Sequence, residues 1–462
     1  MKSFKLTYFV LALSIFILIF STLLGASILS KYSEINGLYK TNKLSVHMLD
    51  ALSIHESSAF TMEDIKHLQQ FSFKDVDLAY ASEGKSLVAY ENNQTQANVF
   101  GISEKYKMFH QINLKSGSFI TSGNKNEMVA VVDENLAIEL FNNTNIIGMY
   151  VELYSQRFKI IGVIKPDESI VQTLTDNGYG GIYIPVEHML EYNANSRITS
   201  LEIRTVDLGT TGKNIRVMKD ALTSIGKNTS DYKIIDYNNE RIIVEQKVLL
   251  SIFIPGVIGF ALLLITIKGS ALVLYNTINS ALKENYFMDA LKLKYVKLSL
   301  NILEIMASLT LFYLVWETIK FNIYIPPEYI PSELIDLNFY SELYKSLVQS
   351  NIQSIGYVPT LPEMQGNILA VMQKWNLYTY IFVGLPLYYL GLKMLELNQE
   401  SVVKHLLYCC VFLVLSIAIS LLMLFLLKMP VAVNTKGMLV LFVFVFLSVT
   451  KKDRSFHGRD QK

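Results

Sequence analysis

Two short patterns in this chain bring together residue types that could do chemistry. Ser82 and Lys85 have the S-x-x-K spacing in which a serine serves as nucleophile, although such a pair is common by chance. His55 and Glu56 begin the H-E-x-x-H zinc pattern, but its second histidine is missing. The sequence contains neither the phosphate-binding pattern G-x-x-x-x-G-K-[ST] nor the nucleophile pattern G-x-S-x-G. We therefore expect no catalytic, cofactor or metal site in this chain.

The composition argues against several other classes of protein. A formal net charge of +1 provides no overall field that would attract nucleic acid or an acidic partner. The two cysteines, Cys409 and Cys410, are adjacent and lie within an apolar run, so we expect neither a disulfide framework nor a cysteine metal site. Hydrophobic residues make up 51% of the chain, which is high for a soluble protein, and many of them fall in long apolar runs.

These runs predict an α-helical integral membrane protein with about six transmembrane helices. A helix crosses the hydrocarbon core of a bilayer with roughly 20 apolar residues. The six candidate runs are Leu6–Leu29, Val248–Ile267, Leu298–Ile319, Leu377–Leu395, Leu406–Leu427 and Gly437–Val449. The first is longer than the core of a signal peptide, about 7–15 residues, which favours an uncleaved anchor over a cleaved signal. The last is short and could be re-entrant instead of spanning.

The positions of lysine and arginine predict the orientation of the chain in the membrane. Lys2 and Lys5 precede the first run, four lysines fall between residues 283 and 297, and the segment after Thr450 is also basic. These charges predict a multi-pass protein of the cell membrane with both termini in the cytoplasm. The predicted parts are an anchor (1–31), an extracytoplasmic domain (32–246), two spans with a cytoplasmic loop at 276–297 (247–320), an extracytoplasmic loop (321–375), C-terminal spans (376–450) and a cytoplasmic tail (451–462).

The region 32–246 carries the patterns of a mixed α+β domain. Thr61 and Asp64 fit a capping box at the start of a helix. Gly162 lies inside a strand-like run, where a glycine is expected if two backbones approach closely. From Asn239 to the second span neither glycine nor proline interrupts the chain, which predicts a continuous helical stalk. The strand-like runs are 76–80, 86–90, 128–132, 151–153, 158–163, 201–205 and 233–237.

Six segments of this region come in a characteristic order. They are Gly101–Ser103, Phe109–Phe119, Val131–Ala137, Ile147–Gly148, Phe158–Val163 and Ile182–Pro185. Their succession resembles the extracytoplasmic core domain of MacB-like and FtsX-like ABC transporter permeases. The resemblance implies a porter-like α/β subdomain with a second, β-rich subdomain inserted near residues 115–200. Members of that family usually have four spans, whereas this chain has a long outer loop after the third span and two further candidate spans.

The loop between the second and third spans contains a short amphipathic segment. One interpretation is a helix that lies on the inner leaflet and is anchored by lysines. The resemblance implies another: a coupling helix that docks into a separate ATPase, with Ala290 and Leu291 at the family's Ala-Leu-Gly and Lys292 in place of its glycine. The candidate coupling residues are Glu284, Tyr286, Phe287, Met288, Ala290, Leu291 and Lys292.

Glu304 is a carboxylate inside the third predicted span. An ionised side chain at the centre of a spanning helix costs roughly 2.5–3.5 kcal/mol on insertion scales. Its side chain could snorkel toward the interface beside Lys297, or it could hold the coupling loop against its own helix. The sequence leaves both roles open.

The resemblance implies a permease subunit that passes the motion of a separate ABC ATPase to the extracytoplasmic domain, with ATP hydrolysis on the partner. It also implies a homodimer or pseudo-dimer, and we further expect contacts with membrane lipids and with an extracytoplasmic adaptor protein. Export or extraction of a peptide, a lipid or an antimicrobial would fit such a permease, and nucleic acid would not be a partner. A membrane receptor or sensor with an outer ligand-binding domain is the alternative. A membrane-bound enzyme is disfavoured because no paired carboxylates or histidine clusters mark a site.

Overall fold

The computed structural model describes residues 2–49, 58–205, 213–283, 287–320, 323–326, 329–331, 333, 336–353, 356–396 and 401–457. The chain forms two compact units, and several long helices contribute to both. One unit contains Met1–Ser30, Val244–Ile323 and Ala370–Lys462, and we call it the helical unit. The other contains Lys31–Ile243 and Tyr324–Leu369, and we call it the outer domain because its larger part lies in the predicted extracytoplasmic region.

A mixed ten-stranded sheet forms the centre of the outer domain. The strands run in the spatial order β10-β1-β9-β2-β3-β8-β5-β7-β4, and β6 pairs with β2 and β7 at one side of this path. The strands are β1 Lys43–Met48, β2 Leu78–Tyr90, β3 Asn93–Ile102, β4 Leu114–Gly117, β5 Val129–Asp133, β6 Tyr150–Leu153, β7 Gln156–Ile164, β8 Gly181–Pro185, β9 Ser200–Arg204 and β10 Tyr232–Asp236.

Fourteen α-helices, numbered in chain order, are present in the described residues. Seven belong to the outer domain: α2 Met62–His67, α3 Tyr106–Phe109, α4 Glu134–Phe141, α5 Ile170–Thr175, α6 Val186–Tyr192, α7 Lys213–Ser224 and α10 Leu337–Gln353. The long helices are α1 Lys2–Glu34, α8 Tyr237–Leu282, α9 Phe287–Ile319, α11 Leu361–Thr379, α12 Leu385–Leu395, α13 Val402–Leu426 and α14 Thr435–His457. A five-residue π-helical segment, Tyr380–Gly384, joins α11 to α12.

Local signals in the sequence explain several of these boundaries. The capping box before α2 is confirmed, because Thr61 Oγ1 accepts from the Asp64 N–H and the Asp64 carboxylate accepts from the Thr61 N–H. The predicted strand-like runs 151–153 and 158–163 lie in β6 and β7, which form a hairpin whose two-residue turn places Tyr154 and Ser155 at φ 53° and 58°. Both values suit the tight turn that matches the twist of paired strands.

The strand-like runs 76–80 and 86–90 were expected to be two strands, and this expectation is wrong. They belong to one strand, β2, that pairs without a break with β3 from Ala81 to Tyr90. Gly84 suggests a turn when it is considered alone, but in the sheet it pairs with Val99 and keeps an ordinary strand register. The long β2–β3 hairpin therefore joins the two ends of the sheet, each of which has its own hydrophobic core.

Four helices in the described part of the chain are long and apolar enough to cross a membrane. They are Leu6–Glu34, Tyr237–Leu282, Lys294–Ile319 and Val402–Leu426, and they contain the first, second, third and fifth predicted runs. The fourth run lies in the end of α11, the π-helical segment and α12, and the sixth lies in α14. The fold class, a helical membrane protein with an inserted α+β domain, is confirmed, whereas the count of six spans remains a prediction.

The C-terminal helices pack against the first helix within the helical unit. Asn376 in α11 donates from Nδ2 to the Ser21 carbonyl of α1 at 2.9 Å. A Cβ added to Gly391 in α12 would lie 3.3 Å from the Cα of Leu11, so α12 and α1 are in close contact there. The Tyr388 hydroxyl lies 2.6 Å from the Ser448 hydroxyl of α14. The C-terminal helices are thus part of one bundle with α1, although the family resemblance gave no place for two of them.

Candidate functional site

The segment between α8 and α9 holds the predicted coupling residues. Glu284 and Tyr286 lie outside the described residues. Phe287, Met288, Ala290, Leu291 and Lys292 lie on the first turns of α9, for which the structure describes the backbone only.

A bend separates these first turns from the spanning part of the same helix. Lys294 has φ −118° and ψ 18°, which are not helical values, so the short helix Phe287–Leu293 is a separate element before the span Lys294–Ile319. The backbone is therefore arranged as a short helix at the entrance of a membrane helix, which both interpretations of the segment require.

Glu304 lies within the candidate span, ten residues after the bend, and its side chain is partly buried. The structure thus places it on the third candidate span.

One helix connects the coupling segment to the outer domain. α8 has 46 residues, which at 1.5 Å per residue gives a length of about 70 Å. It begins immediately after β10, at Tyr237, and continues through Pro255 to Leu282, next to the coupling segment. The predicted helical stalk is confirmed, because the chain from Asn239 into the second span forms one uninterrupted helix.

A buried ionic cluster lies in the outer domain, and the sequence gave no sign of it. Lys43 on β1 contacts Glu202 on β9, with Nζ 2.8 Å from Oε1, and Lys43 Nζ also donates to the Phe109 carbonyl at 2.8 Å. His110 Nε2 lies 2.6 Å from the other carboxylate oxygen of Glu202. The side chain of Lys43 is fully buried, and that of Glu202 is only 7% exposed. We call Lys43, Glu202, His110 and the nearby His47 the buried cluster.

The alternation of β1 explains how these polar groups come together. Leu44 and Val46 point into a hydrophobic core, so Lys43 and His47 lie on the opposite face of the strand. Both faces of β1 are buried, and it is flanked by β9 and β10. The polar side chains on this face of β1 are therefore buried and need hydrogen-bonding or charged partners inside the protein. Glu202 on the neighbouring strand β9 is the partner of Lys43.

Burial and charge set the ionisation of the cluster. Burial alone would raise the pKa of Glu202, but His110 and Lys43 outweigh that effect and hold this pKa at about 2. Burial lowers the pKa of His47 to about 4. Attraction to Glu202 and Glu363 opposes this shift, and repulsion by Lys43 and His110 adds to it. At neutral pH the cluster therefore holds an ionised Glu202 paired with Lys43, while His47 is neutral.

Part of the long outer loop closes over this side of the domain. Thr360 lines a small cavity together with His47, His110 and Glu202. Glu363 is 4% exposed; it accepts from Lys233 on β10 and from the Tyr357 hydroxyl. Gln365 Nε2 donates to Gln172 Oε1 at 2.7 Å. Residues 324–369 are thus part of the outer domain, and the sequence offered no periodic pattern from which these contacts could be predicted.

Acid should destabilise the outer domain through His47. Its pKa is about 4 in the folded protein and about 6.5 in an unfolded chain, so the unfolded state gains the proton first as pH falls. We expect the free energy of unfolding to fall by about 2 kcal/mol between pH 7.5 and 5 because of His47. The lowered pKa of His110 should add to this loss. Amide hydrogen exchange of β1 in the purified full chain at both pH values measures the loss.

His47→Leu should reduce this pH dependence, and His67→Leu is the control because His67 is exposed on α2. Glu202 does not contribute in this window, since its own loss occurs as pH falls from about 4.5 toward 2. An equal loss of protection in wild type and His47→Leu would show that the pKa of His47 does not differ between the folded and the unfolded chain.

The described residues contain no group of three or more histidine, cysteine, aspartate or glutamate side chains that could hold a metal ion. The S-x-x-K pair does not form a nucleophilic site, because Ser82 is buried on β2 and Lys85 lies over the ring of Tyr179, 4.1 Å from its centroid. His55 and Glu56 lie outside the described residues.

Sequence comparison identifies proteins that are similar to part of this chain. Residues 5–220 match the family described as the MacB-like periplasmic core domain. The uncharacterized ABC transporter permease YknZ of Bacillus subtilis is 29% identical over 158 residues, which is 32% of this chain and 38% of YknZ. The macrolide export ATP-binding/permease protein MacB of Neisseria meningitidis is 24% identical over 191 residues, 40% of this chain and 29% of that protein.

The matches therefore span between a quarter and two fifths of the length of these relatives. Two solved structures also align with this chain. The periplasmic region of MacB from Actinobacillus actinomycetemcomitans aligns with 22% identity and a TM-score of 0.38, over 47% of this chain and 97% of that one. The extracellular domain of YknZ aligns with 17% identity and a TM-score of 0.33, over 42% of this chain and 100% of that one. The predicted resemblance to MacB-like ABC transporter permeases is confirmed by the sequence matches.

Proposed function

We propose that this chain is the permease subunit of a MacB-like ABC transporter and that it transmits the motion of a separate cytoplasmic ATPase to its outer domain. The single observation that carries the proposal is α8, which starts at the end of β10 and reaches the coupling segment as one helix. The family match over residues 5–220 supports the same assignment, since it covers the first helix and most of the outer domain.

The route that we propose has three parts. Closure of the ATPase pushes on the short helix Phe287–Leu293, the bend at Lys294 lets this helix move relative to the span, and α8 carries the motion outward. The outer domain receives the motion at β10, which pairs with β1 of the buried cluster. A helix of this length transmits force because its backbone hydrogen bonds lie along its axis.

The proposal includes partners that follow from the family resemblance. We propose a dimer of permease chains, an ATPase bound to each, and lipid around the helical unit, with both termini in the cytoplasm. An extracytoplasmic adaptor could engage the outer domain. A peptide, a lipid or an antimicrobial would be moved or extracted; the Neisseria relative is described as a macrolide export protein.

The first turns of α9 provide the test of this function. Phe287→Ala and Leu291→Ala should each release the ATPase or leave its hydrolysis unresponsive to the permease, because truncating an apolar anchor in an interface costs about 2 kcal/mol or more. That cost corresponds to roughly 30-fold weaker binding. The measurement is co-purification with an ATPase encoded beside this chain, followed by ATP hydrolysis with and without the permease.

Lys292→Ala is the matched control on the same turns, since a charge at the rim of an interface mainly changes the association rate. All three variants should insert into the membrane in wild-type amounts. Full ATPase binding and coupling in both apolar variants would mean that the segment is an interfacial helix that lies on the inner leaflet.

A further inference from the structure

An amphipathic helix in the outer loop has an exposed apolar face. α10 begins at Leu337, where the Asp336 carboxylate accepts from the N–H groups of Asn338 and Phe339 as an N-cap. It continues for 17 residues to Gln353. At 100° per residue, seven of its eight apolar side chains fall on one half of the helix, together with Ser341 and Asn351, and both charged side chains fall on the other half with Phe339. The apolar half carries Leu337, Tyr340, Leu343, Tyr344, Leu347, Val348 and Ile352.

In the described part of the chain, this face is not covered by other residues. Leu337 is 81% exposed, Tyr344 71% and Ile352 61%. Single exposed apolar residues are ordinary on a protein surface, but six on one face of one helix form a continuous patch. A patch of this kind in a water-soluble region marks a surface that something else covers.

We propose that α10 lies in the outer leaflet of the bilayer, parallel to its surface, with this apolar face in the acyl–headgroup boundary. The assignment rests on the proposed function, because it needs residues 324–369 to be extracytoplasmic. The occupant of the face is lipid, and three observations favour lipid over a protein.

The first observation is the position of α10 in the chain. Seventeen residues separate its start from the end of α9 at Ile319, and seven separate its end from the start of α11 at Leu361, a helix that continues into the helical unit. The helix is therefore tethered on both sides to segments of the membrane bundle.

The second observation is that the connection itself is apolar and exposed. Ile323, Ile325 and Ile330 lie in the connection after the third candidate span, and their exposed fractions are 72%, 52% and 54%. Exposed apolar side chains thus recur between the span and α10. These side chains can contact lipid together with the apolar face of the helix.

The third observation is the composition of the helix. Tyr340 and Tyr344 lie on the apolar face, and tyrosine is enriched at membrane–water interfaces because its ring is apolar and its hydroxyl stays hydrated. The only charges are Glu342 and Lys345, both on the polar half, and their sum is zero. This helix offers no charge pattern for recognising a protein partner, so burial of apolar surface must drive its binding.

Site-directed spin labelling of the full chain tests the proposal. In a Cys409→Ala/Cys410→Ala background, one protein carries Leu347→Cys on the apolar face and another carries Gln349→Cys on the polar face. Both positions are exposed and lie two residues apart on α10. After reconstitution into phosphatidylcholine vesicles, relaxation by oxygen, which concentrates in lipid, is compared with relaxation by a water-soluble nickel complex.

The expected result is a reversal between the two faces. The label at 347 should respond more to oxygen than to the nickel complex, and the label at 349 more to the nickel complex. Adding phosphatidylglycerol to the vesicles should leave both ratios unchanged, because the helix has no net charge. If both labels respond mainly to the nickel complex, lipid does not cover the face and the proposal is wrong.

A label at 347 shielded from both reagents would also overturn the proposal, because it would place a protein surface, such as a second copy of this chain, on the helix. Co-purification of the ATPase with the same two labelled proteins is measured in parallel. The measurement of label depth does not require the ATPase. Loss of the reversal with ATPase binding intact would therefore count only against the placement of α10 in the outer leaflet. Loss of ATPase binding with the reversal intact would count against the proposed function alone.

Discussion

Glu202→Ala is expected to destabilise the outer domain by about 3–5 kcal/mol, because it leaves the ammonium group of Lys43 buried without its counter-charge. The Nε2 of His110 loses its carboxylate partner in the same step. Amide hydrogen exchange of β1 and β9 in the purified full chain is the measurement. Where exchange proceeds by opening of the domain, this cost corresponds to more than about 100-fold faster exchange.

The double variant Lys43→Met/Glu202→Leu is the matched control. It removes both charges, so no uncompensated ion remains in the interior, and it should regain most of the lost protection. The remaining deficit should be small and should reflect the Phe109 carbonyl and the His110 ring, which lose their contacts with Lys43 and Glu202. Equal exchange rates in the single and double variants would show that the pair is solvated and that an unpaired Lys43 charge does not destabilise the domain.

Gly162→Ala is expected to destabilise the other end of the same sheet. Gly162 lies on β7 between β4 and β5, and a Cβ at this position would lie 2.3 Å from the carbonyl oxygen of Ser118. The obstacle is backbone, so no side chain can rotate away and the strands must separate. We expect a loss of about 3 kcal/mol, and faster amide exchange in β4, β5 and β7 measures it.

Gly123→Ala is the control in the same domain, since the nearest atom to its added Cβ would be Thr121 Oγ1 at an ordinary 3.8 Å. It should leave exchange in the sheet unchanged. The sequence predicted that two backbones approach closely at Gly162, and the structure confirms this. Wild-type protection in Gly162→Ala would mean that β4 separates from β7 at little cost.

The sequence by itself determined the features that depend on local pattern. Apolar runs of sufficient length predicted four of the long helices that could cross a membrane, because a span is recognised by its composition over consecutive residues. Strand-like runs predicted the segments that form β6 and β7, and the uninterrupted stretch from Asn239 predicted α8. Several short segments in order were enough to recognise the resemblance of this region to MacB-like permeases, and the match over residues 5–220 confirms that resemblance.

The tertiary structure decided which parts of the chain lie together. β1 was not predicted from the sequence. It is covered on both faces, and its Lys43 pairs with Glu202, which also contacts His110. Lys43 and Glu202 are 159 residues apart, so no spacing in the sequence could connect them.

The place of the outer loop was likewise decided only by the fold. Residues 324–369 have the prolines of a connecting loop, yet Glu363 is buried against Lys233 of β10, and the segment belongs to the outer domain. The physical reason is the same in both cases. A charged side chain identifies its own chemistry, but its partner is set by strand order and chain crossing, which bring distant residues into contact only when the whole domain has folded.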